Sequence, residues 1–386
     1  MRRIFLHAGE PRTGTSAIQL FLHENREALE HFGYLVPKAG MKAGGNYVAL
    51  IDAILGEPVP ARYAHCVEAF RQEINAHPAD TVIVSAESLD HLFRSDEKRE
   101  RILSFLRDLG LATTVVIFVR PDAEAFSSAY AEQVKFFLYY VTLRDFVLSR
   151  RRYFHLLKLA QLPEIQTIFW PYNVEVRRAG AAREFLRAIG FPKDAIERVG
   201  PERRVNESIG PIAVAAAREI LRRIQQTGRQ PTDRQRKALK AELFGLIEQE
   251  APEPAFYGVD IDLLREIDCR VAKDREKFAQ AAWGKSWQTV FGSDEAAPRQ
   301  YNAFDAATAA PEAVQRYQRM TAALWSAAER IMNDTKLSKV AAWDRLHRDA
   351  HRSLAHAKRV LQWLVHAGIG LAGACTDLAD IGIDLA

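Results

Sequence analysis

RIFLHAGEPRTGTSAIQLFL, residues 3–22, runs from an apolar stretch through a turn rich in glycine and hydroxyl side chains into a helix start. Residues 3–7 read as a strand, and the stretch from Ser16 to about Ala28 reads as a helix with Ile18, Phe21 and Leu22 toward the core. Gly9 and Gly14 have the separation of the phosphate-loop pattern G-x-x-x-x-G-K-[ST], but Thr15 stands where that pattern has Lys. Strand, turn and helix start is the order an anion-binding loop needs, because the free backbone N–H groups of a helix start can surround an anion. Without the lysine, which would reach the terminal phosphates, the loop does not suit magnesium-dependent ATP hydrolysis. The cation sits inside the turn as Arg12, and Thr13, Thr15 and Ser16 supply hydroxyl donors.

Further strand and helix signals follow. TVIVSAE (81–87), TTVVIFVRP (113–121) and IQTIFWPY (165–172) read as strands. Residues 97–110, 122–140 and 181–190 read as the helices between and after them. Such alternation predicts an α/β fold, a central, mostly parallel sheet flanked by helices. Ligands of such a sheet gather beyond the carboxyl ends of the strands, where Gly9, Ser85 to Glu87 and Arg120 converge.

Strand signals fade after about residue 200. Residues 211–250 carry two helical stretches joined by TGRQPTD, and EAPEPAFYGVD (250–260) forms a proline-rich break before a helix over about 261–282. GSDEAAPRQYNAFDAATAAPE (292–312) reads as a linker, and 312–365 as helical, with Val314, Tyr317, Leu324 and Trp325 on a packing face. The predicted organisation is an α/β domain over 1–292, a linker over 293–311 and a helical C-terminal extension over 312–386.

Of the 386 residues, 48% are apolar and 26% charged, the balance of a globular chain rather than a disordered one. The formal charge of +4 suits an anionic ligand but is too small and scattered to indicate nucleic acid. Cys66, Cys269 and Cys375 are widely separated and odd in number, with no Cys-x-x-Cys pair. They read as thiols of a reducing, cytoplasmic compartment, without a disulfide framework or a cysteine metal site. Gly9, Glu10 and Pro11 interrupt the first apolar run before a secretory signal or membrane anchor can form. The most apolar segment, VLQWLVHAGIGLAGA (360–374), contains His366 and has charged residues close by, so it reads as a buried or interface helix and no membrane span is expected.

HAGEPRTGTSAIQLFL (7–22) resembles the 5′-phosphosulfate loop of the sulfotransferase family, especially its bacterial carbohydrate-type members. In that loop Lys or Arg followed by Thr-Gly-Thr-Ser/Thr replaces the ATP loop. FVRPDAEAFSSAY (118–130) is similar to the family's second signature, which binds the donor's 3′-phosphate. Likeness extends to GGNYVAL (44–50), VSAESL (84–89), RRVNES (203–208) and DREKFAQAAWGKSWQTVF (274–291), so it covers roughly residues 1–292. It leaves the last 90 or so residues unexplained.

The resemblance implies a P-loop sulfotransferase-like fold and an enzyme that moves a sulfuryl group from 3′-phosphoadenosine 5′-phosphosulfate (PAPS) to an acceptor hydroxyl on a carbohydrate or glycoconjugate. Gly9, Arg12, Thr13, Gly14, Thr15 and Ser16 would hold the donor's 5′ side, and Arg120 with Ser128 its 3′-phosphate. In related enzymes a loop like RRVNES closes over the donor, which makes Arg203, Arg204 and Asn206 candidates. Arg12 would stabilise charge on the transferring group, and no metal is required. Independently of the family, Arg120 at a strand end and Ser128 eight positions later in the next helix offer a planar donor fork and a neutral hydroxyl to one phosphate.

Glu87 is the leading candidate for the base that removes the acceptor proton, with a helix cap or ion pair as its other reading. His91 is a fallback that also reads as structural or solvated. His7 can orient the loop or serve packing; Asn46 can face the acceptor or support its own loop, and Ser85 is similarly open. FFLYY (136–140) and WPYN (170–173) offer aromatic surfaces to a sugar or to the core. RRRYF (150–154) can meet an anionic acceptor or form a solvated helix face. Two other functions compete: a P-loop nucleotide kinase or hydrolase, and a non-catalytic nucleotide-binding or interaction module in which 312–386 mediates self-association.

Overall fold

The structure is a computed structural model and describes residues 2–9, 13–90, 95–150, 152–163, 165–203, 208–296 and 299–334. Its sheet has five strands, β1 (Arg3–Ala8), β2 (Tyr34–Leu35), β3 (Thr81–Ala86), β4 (Ala112–Val119) and β5 (Gln166–Pro171), in the order β2-β3-β1-β4-β5. Every pairing is parallel, with Ile4 opposite Val82 and Leu6 opposite both Val84 and Val115. Every position of β3 is buried, as are the last six of β4, because helices cover both faces of the sheet. Strands in that setting carry continuous apolar runs instead of alternation, which is why TVIVSA and TVVIFV stand out in the sequence.

Helices α1 (Thr15–Glu24) and α2 (Arg26–His31) lead to β2, and α3 (Val48–Ile54) and α4 (Cys66–Ala76) lead to β3. Helix α5 (Asp96–Asp108) precedes β4, and α6 (Asp122–Lys135), α7 (Leu143–Leu148) and α8 (Arg152–Ala160) precede β5. The chain continues through α9 (Val174–Ala179), α10 (Ala181–Ala188), α11 (Pro211–Gln226), α12 (Asp233–Glu248), α13 (Ile261–Trp283), α14 (Trp287–Ala296) and α15 (Pro311–Asn333).

Two helices are shorter than their apolar spacing predicts. The one expected over 16–28 stops at Asn25, whose backbone and side-chain N–H groups both donate to the Phe21 carbonyl. The one expected over 122–140 stops at Lys135, since Phe137 takes the left-handed φ of 53° and turns FFLYY out of the helix.

Buried side chains fall into two clusters. The first surrounds the sheet and includes Ile4, Leu6, Ile18, Phe21, Val84, Val116, Phe118 and Phe185. The second joins α6 to the later helices through Phe126, Tyr130, Val134, Ile220, Leu239, Leu243, Ile267 and Leu324. Helix α15 packs on α11 and α12, and Gln235, the capping-box residue at the start of α12, donates to the Ile331 carbonyl at 3.2 Å. Among the described residues no helix is long and apolar enough to cross a membrane, no group of three His, Cys, Asp or Glu could hold a metal, and Cys66 and Cys269 are free thiols.

Candidate functional site

The strand order fixes where a ligand can approach. Chain leaving β1 crosses toward β2, whereas chain leaving β4 crosses toward β5, so the carboxyl ends of these two neighbours flank the point where the winding reverses. The loop 9–14 leaves from one of them and Arg120 from the other.

Gly9 and Thr15, on either side of the turn, lie against each other. A Cβ on Gly9 would lie 2.5 Å from the Thr15 side chain, so the two ends of the turn meet. Gly14, the residue before α1, has φ of 81°, and a Cβ there would run into the Ala181 methyl at the start of α10. Glycine answers both demands. Helix α1 has no side-chain cap and no acidic residue in its first turn. Its first intrahelical N–H acceptor is the Gly14 carbonyl, bonded by Ile18 at 3.0 Å, so the N–H groups ahead of Ile18 have no helical acceptor. Thr13 is fully buried beside them. Thr15 is 6% exposed, and among the described residues its Oγ1 has no hydrogen-bond partner. One turn later Gln19 is buried with Nε2 also unpartnered, on the same face by its i,i+4 spacing. Unsatisfied buried donors beside a helix N-terminus form a place for an anion.

Other helix starts in this chain are already occupied by carboxylates. Glu202 Oε2 accepts from the Ala182 N–H at 3.0 Å at the start of α10, and Glu253 accepts from Ile212 and Ala213 at the start of α11. Burial pushes both carboxyl groups above the usual glutamate range, partly offset by those backbone donors.

Arg120 leaves β4 next to Tyr172, whose N–H donates to the Val119 carbonyl at 2.6 Å. Its guanidinium lies over the Tyr172 ring at 5.7 Å from the centroid. A Cβ on Gly14 would touch the same ring at 3.5 Å, so Tyr172 borders both Gly14 and Arg120. Arg120 is nearly buried, and its Nε donates to Glu124 Oε2 at 3.0 Å. Arg177 Nη1 donates to the same oxygen at 2.9 Å and Nη2 to Asp294 at 2.7 Å, while Arg299 lies 3.5 Å from the other Glu124 oxygen. Among the described residues, three guanidinium groups here meet two carboxylates. Loss of water lowers the Arg120 pKa from its ordinary value, with Glu124 opposing that shift. Ser128 is half-buried in α6, and its neighbour Ser127 is buried, accepting from the Gly258 N–H at 3.2 Å.

His7 and Ser85 are register partners on β1 and β3, and His7 Nδ1 and Ser85 Oγ share a hydrogen bond of 2.7 Å. The imidazole is fully buried, with Phe118 and Phe185 at its edges and Nε2 unpartnered. Burial lowers its pKa to about 3, so the ring is neutral at pH 7. One step beyond Ala8 and Ala86, Gly9 and Glu87 leave the sheet side by side on strands about 4.8 Å apart. Glu87 opens a short 3-10 turn and is exposed. Asn46 supports its own loop, with Oδ1 accepting from the Val48 N–H at 2.9 Å.

Arg203 reaches the other end of α1, where it pairs with Glu24 at 3.2 Å. In WPYN, Trp170 donates to Glu184, and Asn173 caps α9. Tyr153 of RRRYF is buried against Asp122, to which its hydroxyl donates at 2.8 Å. Arg12, His91, Arg204, Asn206 and residues 335–386 lie outside the described residues. Sequence reading missed Glu124, Arg177, Asp294 and Arg299. Its one usable signal was the i,i+4 spacing of Arg120 and Glu124, the mark of a paired arginine.

Searches of protein-family models, curated proteins and solved structures found no match for this chain. The site is therefore read from its own geometry: an uncapped helix start and an arginine cluster that border one tyrosine ring, and an exposed carboxylate at the neighbouring strand end.

Proposed function

We propose that this chain is a P-loop sulfotransferase that moves the sulfuryl group of PAPS to a hydroxyl of a carbohydrate or glycoconjugate. One observation carries the reading: the uncapped start of α1, with buried Thr15 Oγ1 unpartnered among the described residues, and the guanidinium of Arg120 border the same Tyr172 ring. A ligand with two separate anionic groups suits that arrangement better than one with a single phosphate chain. The donor has such a pair, a 5′-phosphosulfate and a 3′-phosphate.

In this reading the N–H groups at the start of α1, with Thr13, Thr15 and Ser16, hold the 5′-phosphate, while Gly9 and Gly14 let the backbone come close. Arg120 and Ser128 take the 3′-phosphate, with Arg177 and Arg299 sharing the Glu124 charge that would otherwise hold Arg120 alone. Arg12, by its place in the motif, stabilises the charge that grows on the leaving phosphate. Arg204 and Asn206, by their place in the motif, remain donor ligands, whereas Arg203 pairs with Glu24 at the opposite end of α1 from the donor's 5′ side. In the transfer, the bond from sulfur to the 5′-phosphate oxygen breaks as the acceptor oxygen bonds to sulfur. Glu87, beside the loop and open to solvent, takes the acceptor proton. Buried His7 has too low a pKa to be that base, and it braces Ser85 at the strand end. This chemistry uses hydroxyl, amide, guanidinium and carboxylate groups and asks for no metal.

The test is incubation of the full chain with sulfur-labelled PAPS and a panel of carbohydrate acceptors, beside Arg12→Ala and Glu87→Gln variants. Label should appear on an acceptor with the parent chain and fall by about two orders of magnitude or more in either variant. Transfer that is indifferent to both substitutions contradicts the assigned roles.

A further inference from the structure

A second concavity lies away from the loop, among α6, α7, α11 and the start of α13. It holds about 340 Å³, at the small end of the range for small-molecule sites, roughly 300–1,000 Å³. Tyr130 and Phe256 form a buried aromatic floor, tilted together at 5.9 Å between centroids. Tyr301 stands on the rim 48% exposed, one of few large apolar side chains so open among the described residues. Its neighbour Asn302 fixes that rim: Oδ1 accepts from the Tyr257 N–H at 2.8 Å, Nδ2 donates to the Ala255 carbonyl at 3.0 Å, and its own N–H donates to the Tyr257 carbonyl at 3.0 Å. Phe304, stacked on Tyr317 at 4.8 Å, continues the wall.

Arg144, Arg218, Asp260 and Asp262 line this groove with a formal charge of zero; Arg144 pairs with Glu266 at 2.8 Å and Asp262 with Arg265 at 3.3 Å, while both stay mostly exposed, and Asp260 caps α13. It thus presents both donors and acceptors around aromatic faces, without the excess of one sign that a phosphate, a uronate or a cation would need. A sugar ring has that complementary form: one face of C–H groups that lies on an aromatic ring, and a rim of hydroxyls that both donate and accept.

We propose that this groove is a binding site for a neutral saccharide, seated on Tyr301 and hydrogen-bonded by Arg144, Arg218 and Asp262. Tyr130 lies eight residues along α6 from Asp122, about 12 Å by helical rise. The groove is thus a remote hold on a long acceptor chain, a role that rests on the sulfotransferase reading; the binding itself does not.

The experiment titrates the full chain with neutral hexasaccharides (β-1,4-glucose, β-1,4-N-acetylglucosamine, α-1,4-glucose and α-1,6-mannose) and with a hexamer of uronic acid. Binding is read by calorimetry and by saturation-transfer NMR. At least one neutral hexamer should bind, the uronate should not compete, and Tyr301→Ala should weaken binding about tenfold or more with the melting curve kept. Asp262→Asn should weaken it in the same direction. No neutral binding, preference for the uronate, or indifference to Tyr301→Ala overturns the site. A parallel titration with 3′-phosphoadenosine 5′-phosphate separates the two readings: failure there removes the transferase but leaves the groove standing.

Discussion

His7 and Ser85, 78 residues apart in sequence, stand side by side at the ends of β1 and β3 and share a 2.7 Å hydrogen bond in a site closed to water. Folding therefore opposes protonation of the ring. An unfolded imidazole titrates near 6.5 and the folded one only at about 3, so between these values the unfolded chain holds the extra proton. Stability is intact above pH 6.5 and is lost as pH falls toward 3, by about 2 kcal/mol between pH 7 and pH 5 from this residue. Urea unfolding at the two pH values should show that loss in the parent and a smaller one in His7→Gln. Comparing the variants cancels the opposite contribution of Glu202 and Glu253, whose raised pKa values favour the folded state at lower pH.

Thr15 carries a buried hydroxyl that no described residue satisfies. Thr15→Val keeps the shape and removes the unsatisfied group, so stability should hold or rise by up to about 1 kcal/mol. Affinity for 3′-phosphoadenosine 5′-phosphate should fall about tenfold. A hydroxyl that served the fold alone would give the reverse pattern, lower stability with unchanged affinity.

Arg120 and Glu124 are bonded, yet their removal should have different effects. Glu124→Gln leaves three guanidinium groups against Asp294 and should destabilise the fold by about 2–4 kcal/mol, while nucleotide affinity is kept or raised. Arg120→Ala leaves Glu124 paired with Arg177 and should cost mainly affinity. Parallel losses of stability and affinity in the two variants would show that the cluster is only structural.

Leu324 is fully buried in the cluster shared by α11, α12 and α15. Leu324→Ala should cost about 2–5 kcal/mol and lower the main melting transition. A separate, weaker transition that alone responds would mean that α15 folds apart from the rest.

Residues 3–22 made most of the fold legible, because a strand, a glycine turn and an amphipathic helix follow one another without interruption. The strands of residues 81–87, 113–121 and 165–172 were legible for a related reason, since burial on both faces leaves long apolar runs. β2 was not, because Tyr34 and Leu35 are too few to show a period. The arginine cluster was hidden further. Arg177 meets Glu124 across 53 residues and Asp294 across 117, and no local spacing records pairs made by chain reversal. Tyr172 could be read as an aromatic surface within WPYN, but its contact with both Gly14 and Arg120 exists only once β4 and β5 lie together.

One ligand should join the α1 start to Arg120 through two anionic groups. Calorimetric titration of the full chain with 3′-phosphoadenosine 5′-phosphate and with adenosine 5′-phosphate, which lacks the 3′-phosphate, tests it most directly. The parent chain should prefer the first ligand about tenfold or more, and Arg120→Ala should lose that preference. Equal affinity for the two nucleotides, or no binding of either, would contradict it.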